Sequence, residues 1–164
     1  MIHQQKVIQY EPIDAISVVK LMADNNIYLN QYAKILLDNL PFNDVLTSEK
    51  ICIYELDLCE LNIIKPANYF EILTAVKENG FHPCPLLFAP FIRLAYGDQT
   101  NSDLEFKNEH PDDAILIVSD LLKNKEDFPK GFYIRAMNSK LWLRGYICSD
   151  DYCWPCTTRI IVCR

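Results

Sequence analysis

The side chains best suited to bind a ligand or take part in a reaction lie between Gly80 and Gln99, a stretch that also holds three prolines. A charged side chain within its apolar run, residues 91–96, needs either a carboxylate partner or an opening to a pocket. The polar turn that follows supplies carboxylate and amide groups at close spacing. We therefore predict a pocket for a small anionic or amide-bearing ligand, lined by His82, Arg93, Tyr96, Asp98 and Gln99.

Arg93 also has a structural interpretation. It alternates with Ile92 and Leu94, which predicts a strand over residues 91–96 with Arg93 on one face. In that setting the guanidinium pairs with Glu55, Asp57 or Asp98 and fixes the chain instead of binding a ligand. We favour this structural role, with Asp98 or Asp57 as the acceptor.

An enzymatic role would require several of these groups to converge. His82 and Cys84 could form a nucleophile–base pair only within hydrogen-bond reach, and two prolines constrain the loop that carries them. The sequence contains no Gly-x-Ser-x-Gly, no glycine-rich phosphate loop and no His-Glu-x-x-His. The leading hypothesis is therefore a non-enzymatic binding or protein-interaction domain. The alternative is a small hydrolase or transferase that uses Arg93, Asp98 and His82.

The seven cysteines raise the question of a metal site or a redox motif. A tetrahedral zinc site is built from two separated ligand pairs, and the candidate ligands, Cys148, Cys153, Cys156 and Cys163, include two within or next to predicted strands. Cys153-Trp-Pro-Cys156 has the Cys-x-x-Cys spacing of thioredoxin-like redox motifs, but no helix is predicted after it, as that chemistry requires. We predict reduced thiols, with no metal, no cofactor and no obligatory disulfide.

A second candidate surface comes from two alternating segments, residues 131–137 and 141–147, joined by a turn at Asn138-Ser139. One face of this hairpin collects aromatic and basic side chains, which are common anchors of protein interfaces. If that face meets solvent it is an interaction surface, and if helices cover it the same residues are core. The residues are Tyr133, Arg135, Trp142, Arg144 and Tyr146.

Composition narrows the classes of function. The chain has 164 residues and a net charge of −6, which gives no general support for nucleic-acid binding. Residues 128–164 are nevertheless basic, with six basic and two acidic side chains. No run approaches the roughly 18 apolar residues of a membrane span, and the amino terminus lacks the apolar core of a signal peptide. We expect a cytoplasmic protein with an unknown protein or small-molecule partner, no nucleic acid and no membrane.

The helices and strands that position these residues are predicted from the spacing of apolar side chains and from the residues that start or end an element. Helices are predicted from Pro12, from the capping residue Asn30 and from Pro66, the last ending at Gly80. Strands are predicted at 6–10, 50–58, 91–96, 114–118, 131–137, 141–147 and 158–163, with a polar loop over 97–113. The fold class is α+β in a single domain, 1–164. About three helices, mostly in the first half, pack on a mixed but largely antiparallel sheet of six to seven strands.

The middle of the chain resembles the signature of an uncharacterised family of bacterial proteins. That signature is a helix running into Gly, then Cys-Pro, then Leu-Arg-Leu-x-Tyr-x-Asp-Gln. The corresponding residues here are Gly80, Cys84-Pro85, Ile92-Arg93-Leu94, Tyr96 and Asp98-Gln99. A Glu-Leu element (Glu55-Leu56), a Leu-Trp-Leu strand (Leu141–Leu143) and a late Trp154 extend the resemblance. After Gln99 the Pro-Gly-Glu-Trp continuation is replaced by Thr-Asn-Ser-Asp. The resemblance implies no activity.

Overall fold

The computed structural model describes residues 2–101, 110–111 and 113–164. The strands are β1 (Gln4–Tyr10), β2 (Ile27–Leu29), β3 (Glu49–Asp57), β4 (Ala67–Asn68), β5 (Ile115–Ile117), β6 (Gly131–Met137), β7 (Lys140–Tyr146), β8 (Cys153–Trp154) and β9 (Arg159–Cys163). Seven of them form one sheet in the order β1-β3-β9-β5-β6-β7-β2, and β4 pairs with β8. Much of the predicted loop 97–113 lies outside the described residues.

The sheet is mixed and mostly antiparallel. The pairs β1–β3, β3–β9, β5–β6 and β6–β7 are antiparallel, whereas β5–β9 and β2–β7 are parallel. The predicted α+β class is thus confirmed. β3 lies between β1 and β9, and it corresponds to the strand predicted at 50–58. The short β2 was not predicted, because three residues between two helices carry too little pattern to be recognised.

Four helices pack on this sheet: α1 (Ala15–Asp24), α2 (Gln31–Asn39), α3 (Tyr69–Glu78) and α4 (Ala89–Ala95). The first three correspond to the predicted helices. α3 begins at Tyr69, not at Pro66, because Asn68 caps it: its side chain accepts a hydrogen bond from the Glu71 backbone N–H. Gly80 follows α3 with φ 76°, a left-handed conformation that suits glycine.

α4 stands where a strand was predicted, and that prediction is wrong. Pro90 occupies the first turn, where its missing N–H costs nothing. The buried residues Ala89, Ile92, Arg93 and Tyr96 recur at helical spacing. The alternation of Ile92, Arg93 and Leu94 was too short to distinguish the two-residue period of a strand from the roughly 3.6-residue period of a helix. Arg93, which the predicted strand placed on the face opposite Ile92 and Leu94, lies together with Ile92 on the buried face of the helix.

Both faces of the sheet are covered. On one face, α1, α2 and α4 contribute to a core that includes Met22, Leu36, Ile92 and Ile53. On the other, α3 packs through Ile72 and Val76 onto a second core. The central strands β5 and β9 therefore supply alternate side chains to both cores. None of the helices in the described part of the chain combines the length and apolar character needed to cross a bilayer.

Candidate ligand pocket

A polar cavity of about 160 Å³ lies beside the segment that follows α4. We call it the Tyr96 pocket. Three of the five predicted ligand-binding residues, Tyr96, Asp98 and Gln99, line it. The structure thus places a pocket at the end of the stretch that the sequence singled out. Among the described residues, the lining consists of Gln4, Tyr96, Asp98, Gln99, Thr100, Asn101, Asp113, Ile115 and Arg159.

The end of α4 is held in place by two cations. The Lys6 ammonium, from β1, donates to the carbonyl of Ala95 at 3.0 Å and lies 4.8 Å from the centre of the Tyr96 ring. Arg93 donates to the carbonyl of Tyr96. Positive charge suits the negative end of a helix dipole. These contacts fix Tyr96 and therefore the wall of the pocket.

Arg93 does not line the pocket, and its predicted carboxylate partners were wrong. Among the described residues no carboxylate lies within salt-bridge distance of its guanidinium. Nη1 donates to the Gln99 side-chain oxygen at 2.5 Å and to the carbonyls of Arg135 and Trp142 at 3.4 and 3.3 Å. Burial lowers the pKa of Arg93 to about 10, so it remains charged at neutral pH. Arg93 is a fully buried clamp that ties α4 to β6 and β7.

A buried ion pair stands next to the pocket. Glu55 is fully buried in β3, and its Oε1 accepts hydrogen bonds from Nε and Nη2 of Arg159, with a distance of 2.8 Å to Nε. Arg159 also lines the pocket, and its side chain is 38% exposed. The sequence analysis missed Arg159. Glu55, a charge within an otherwise apolar strand, was the one signal in the sequence that a cationic partner lay nearby.

Two oxygens of the pocket walls are buried: the Tyr96 hydroxyl and Oδ1 of Asp113. The other Asp113 oxygen accepts from Arg135 Nε at 2.8 Å. Burial, then the negative charge of Glu55 and a hydrogen bond with that carboxylate, raises the pKa of Tyr96, so the phenol stays protonated. The groups that the pocket offers to a ligand are therefore the more exposed side chains of Asp98, Gln99 and Thr100.

His82 lies away from the Tyr96 pocket. It is exposed and pairs with Cys163 at the carboxyl end of β9, whereas Arg159 and the pocket lie at the amino end. Four residues of strand separate the two ends by roughly 13 Å. Arg93, Asp98 and His82 therefore do not converge. Cys84 is buried although His82 is exposed.

The predicted interaction residues share one sheet face, because Tyr133 pairs with Arg144 and Arg135 with Trp142. That face is mostly covered. Tyr133 and Arg135 are buried, and Tyr146 packs in the core beneath α3. Trp142 and Arg144 remain half-exposed.

The exposed part of this face lies at the sheet edge. Trp142 packs against the exposed ring of Tyr28 in β2, with ring centres 5.3 Å apart. The Arg144 guanidinium lies 5.0 Å from the centre of the Trp142 ring and donates to the Tyr133 hydroxyl at 2.7 Å. The surface open to a partner is thus smaller than the predicted set.

The groups with metal-binding potential were also located. In the described part of the chain, His3, Asp57 and Glu60 bring their ligand atoms within 4.8 Å of one another. A contact of 3.1 Å between His3 Nε2 and Asp57 Oδ2 accounts for this cluster without an ion. The four cysteines considered for zinc form no such group among the described residues, and all seven thiols are free.

No family model, no curated protein and no solved structure matches this chain. The resemblance to a bacterial family signature therefore remains a prediction, and the function must be argued from the residues themselves.

Proposed function

We propose that this protein is a non-enzymatic binding domain that holds a small, hydrogen-bond-donating molecule in the Tyr96 pocket. The observation that carries the proposal is the polar lining of this pocket, to which Asp98, Gln99 and Thr100 contribute exposed or half-exposed side chains. Carboxylate and amide oxygens accept hydrogen bonds, and a few polar groups that converge on a cavity can fix the orientation of a small donor.

The available groups favour one class of ligand. Asp98 and Asp113 each contribute a carboxylate to the lining, and an ionised carboxylate only accepts hydrogen bonds. Of the two ligand types predicted from the sequence, an anion would face both carboxylates, while the Arg159 guanidinium is already paired with Glu55. A primary amide can donate to a carboxylate and accept from the Thr100 hydroxyl. We therefore favour an amide-bearing ligand.

A small-molecule role is also better supported than a protein-interaction role. Tyr133 and Arg135 of the predicted interaction set are buried, which leaves a narrow patch at the sheet edge. An enzyme built on Arg93, Asp98 and His82 lacks support, because these side chains do not meet.

Three probe molecules of matched size test the proposal: acetamide, acetate and acetamidinium, each titrated into isotope-labelled protein and followed by amide NMR shifts. We expect acetamide to move the signals of Tyr96, Gln99 and Asp113, with a dissociation constant no tighter than roughly tens of micromolar, because four heavy atoms at about 1.5 kcal/mol each give at most about 6 kcal/mol. Asp98→Ala should strongly weaken these shifts, because it removes a carboxylate acceptor from the lining, and Asp127→Ala, at an exposed aspartate outside the pocket, should preserve them. Shifts that persist unchanged in Asp98→Ala, or acetamide having no effect at the pocket, would refute the proposal.

A stability measurement on Asp98→Ala separates binding from structure. Asp98 is exposed, so its replacement should change the free energy of unfolding by no more than about 0.5 kcal/mol. A structural hydrogen bond would instead cost about 1 kcal/mol when lost. A clear fall in stability would therefore count against a ligand role for this carboxylate.

A further inference from the structure

Two cysteines that are 79 residues apart in the chain meet in the core. Sγ of Cys163 lies 2.9 Å from Sγ of Cys84. Cys84 is 1% exposed and Cys163 is 6% exposed. Non-bonded heavy atoms this large usually settle nearer 4 Å apart, whereas a disulfide bond needs about 2.0 Å. The two sulfurs are therefore placed closer than packing requires, with no atom between them.

The backbone holds both cysteines in this position. His82, two residues before Cys84, exchanges two backbone hydrogen bonds with Cys163, each 2.8 Å long. The Cys84 N–H donates to the carbonyl of Val118 at 2.7 Å. Backbone hydrogen bonds on both sides of Pro83 thus hold the two cysteines close together.

We infer that Cys84 and Cys163 are a covalent modification site, at which the two thiols form an internal disulfide by exchange with a low-molecular-weight disulfide. The bond would tie the proline-rich segment that leads into α4 to the end of the last strand. This inference is independent of the proposed ligand pocket.

The reaction proceeds in two balanced steps. The thiolate of Cys163, the more exposed of the pair, attacks one sulfur of the small disulfide and releases one thiol. The thiolate of Cys84 then attacks the Cys163 sulfur of the mixed disulfide and releases the second thiol. Each cysteine gives up a proton, and the two electrons that the pair loses reduce the small disulfide to two thiols.

Access to the site requires local opening at the end of β9. Cys163 is the last residue of that strand, which is held there by the two His82 bonds and by the Arg164 N–H donating to the carbonyl of Cys52 at 3.1 Å. Strand ends open locally at low cost compared with global unfolding. Burial, and secondly the neighbouring Cys163, raises the pKa of the Cys84 thiol, so closure of the bond should speed up as the pH rises.

The test treats the reduced full-length protein with bis(2-hydroxyethyl) disulfide, then blocks remaining thiols under denaturing conditions and maps them by peptide mass. We expect a linked peptide pair containing Cys84 and Cys163, reversal by dithiothreitol and a higher midpoint of thermal unfolding in the linked form. Cys84→Ser and Cys163→Ser should each lose the link. Cys153→Ser, at an exposed thiol, should retain it.

Two results would overturn the inference. One is that both Cys84 and Cys163 remain free after prolonged treatment at a pH and temperature that permit exchange at the exposed Cys59 and Cys153. The other is that the only products are mixed disulfides. If Cys84→Ser fails to fold, Cys163→Ser and the mapping of unaltered protein still decide the matter.

Discussion

Arg93 shows at the scale of single residues how backbone and amide oxygens can satisfy a buried charge. Its guanidinium donates to three backbone carbonyls and one amide oxygen, on α4 and on two strands. Five fixed donors make arginine suited to such a position. The sequence indicated that this charge was special but not where its acceptors lie. Three of the four are backbone carbonyls, up to 49 residues away, and residue type carries no information about backbone acceptors.

Replacement of this clamp should be costly. We expect Arg93→Met to lower the free energy of unfolding by at least about 3 kcal/mol, because buried carbonyls that lose their donor cost about 1–3 kcal/mol each. Arg164→Met, which removes an arginine at the chain end stacked 5.8 Å from the Phe81 ring, should cost less than about 1 kcal/mol. Urea unfolding of both variants measures the difference. A stable Arg93→Met protein would show that the clamp is dispensable.

At the scale of elements, Asn30 joins a helix to a strand. Its Oδ1 accepts from the Ala33 N–H and so caps α2, and the same side chain exchanges two hydrogen bonds with Gly145 of β7, each 2.9 Å long. A Cβ at Gly145 would lie 2.6 Å from the Tyr32 backbone carbon. The glycine therefore lets the start of α2 sit directly on the strand.

The double role of Asn30 makes its removal more harmful than loss of an ordinary cap. Asn30→Ala should cost about 3 kcal/mol, the sum of about 1 for the cap and about 1 or more for each group of Gly145 left unpaired. Asn68→Ala, which removes the cap of α3 alone, should cost about 1 kcal/mol. Thermal and urea unfolding of the two variants provide the comparison. Equal losses would mean that water replaces Asn30 at the strand.

Local pattern explains which elements were predictable. The Asn30 cap, the Gly80 terminus and the Asn138-Ser139 turn depend on neighbours in sequence, and all three were predicted correctly. Asn138 and Ser139 both take positive φ, as a tight hairpin turn requires. The prediction for the segment that forms α4 was wrong because its seven residues, which follow a proline-rich run, fit the period of a helix and that of a strand equally well. The walls of the Tyr96 pocket come from β1, β5, β9 and the end of α4, so only three of its residues could be found from one stretch.

The whole molecule contains several buried phenols, which makes its stability sensitive to alkali. Tyr69 donates to the Ser119 carbonyl at 2.5 Å, and burial raises its pKa. Burial likewise raises the pKa of Tyr146 and of Tyr96. Tyr69 and Tyr146 pack against each other in the core beneath α3, with ring centres 6.5 Å apart, and Tyr96 lies in the pocket wall. Because these buried phenols reach water only when the fold opens, their ionisation acts on the global unfolding equilibrium.

We therefore expect stability to fall as the pH rises above about 10, the ordinary tyrosine pKa. Above it the unfolded chain loses phenolic protons that the folded protein keeps, so each tyrosine lowers the free energy of unfolding by up to about 1.4 kcal/mol per pH unit. Arg93 acts in the opposite direction, because burial lowers its pKa to about 10 and the unfolded chain then holds the extra proton. One arginine is outweighed by three tyrosines.

Urea unfolding from pH 8 to pH 11 measures the slope, and the ultraviolet absorbance of tyrosinate reports when the phenols ionise. Tyr69→Phe should make the slope above pH 10 shallower by up to about 1.4 kcal/mol per unit, whatever its effect at neutral pH. Ionisation of these phenols before the protein unfolds would contradict their burial.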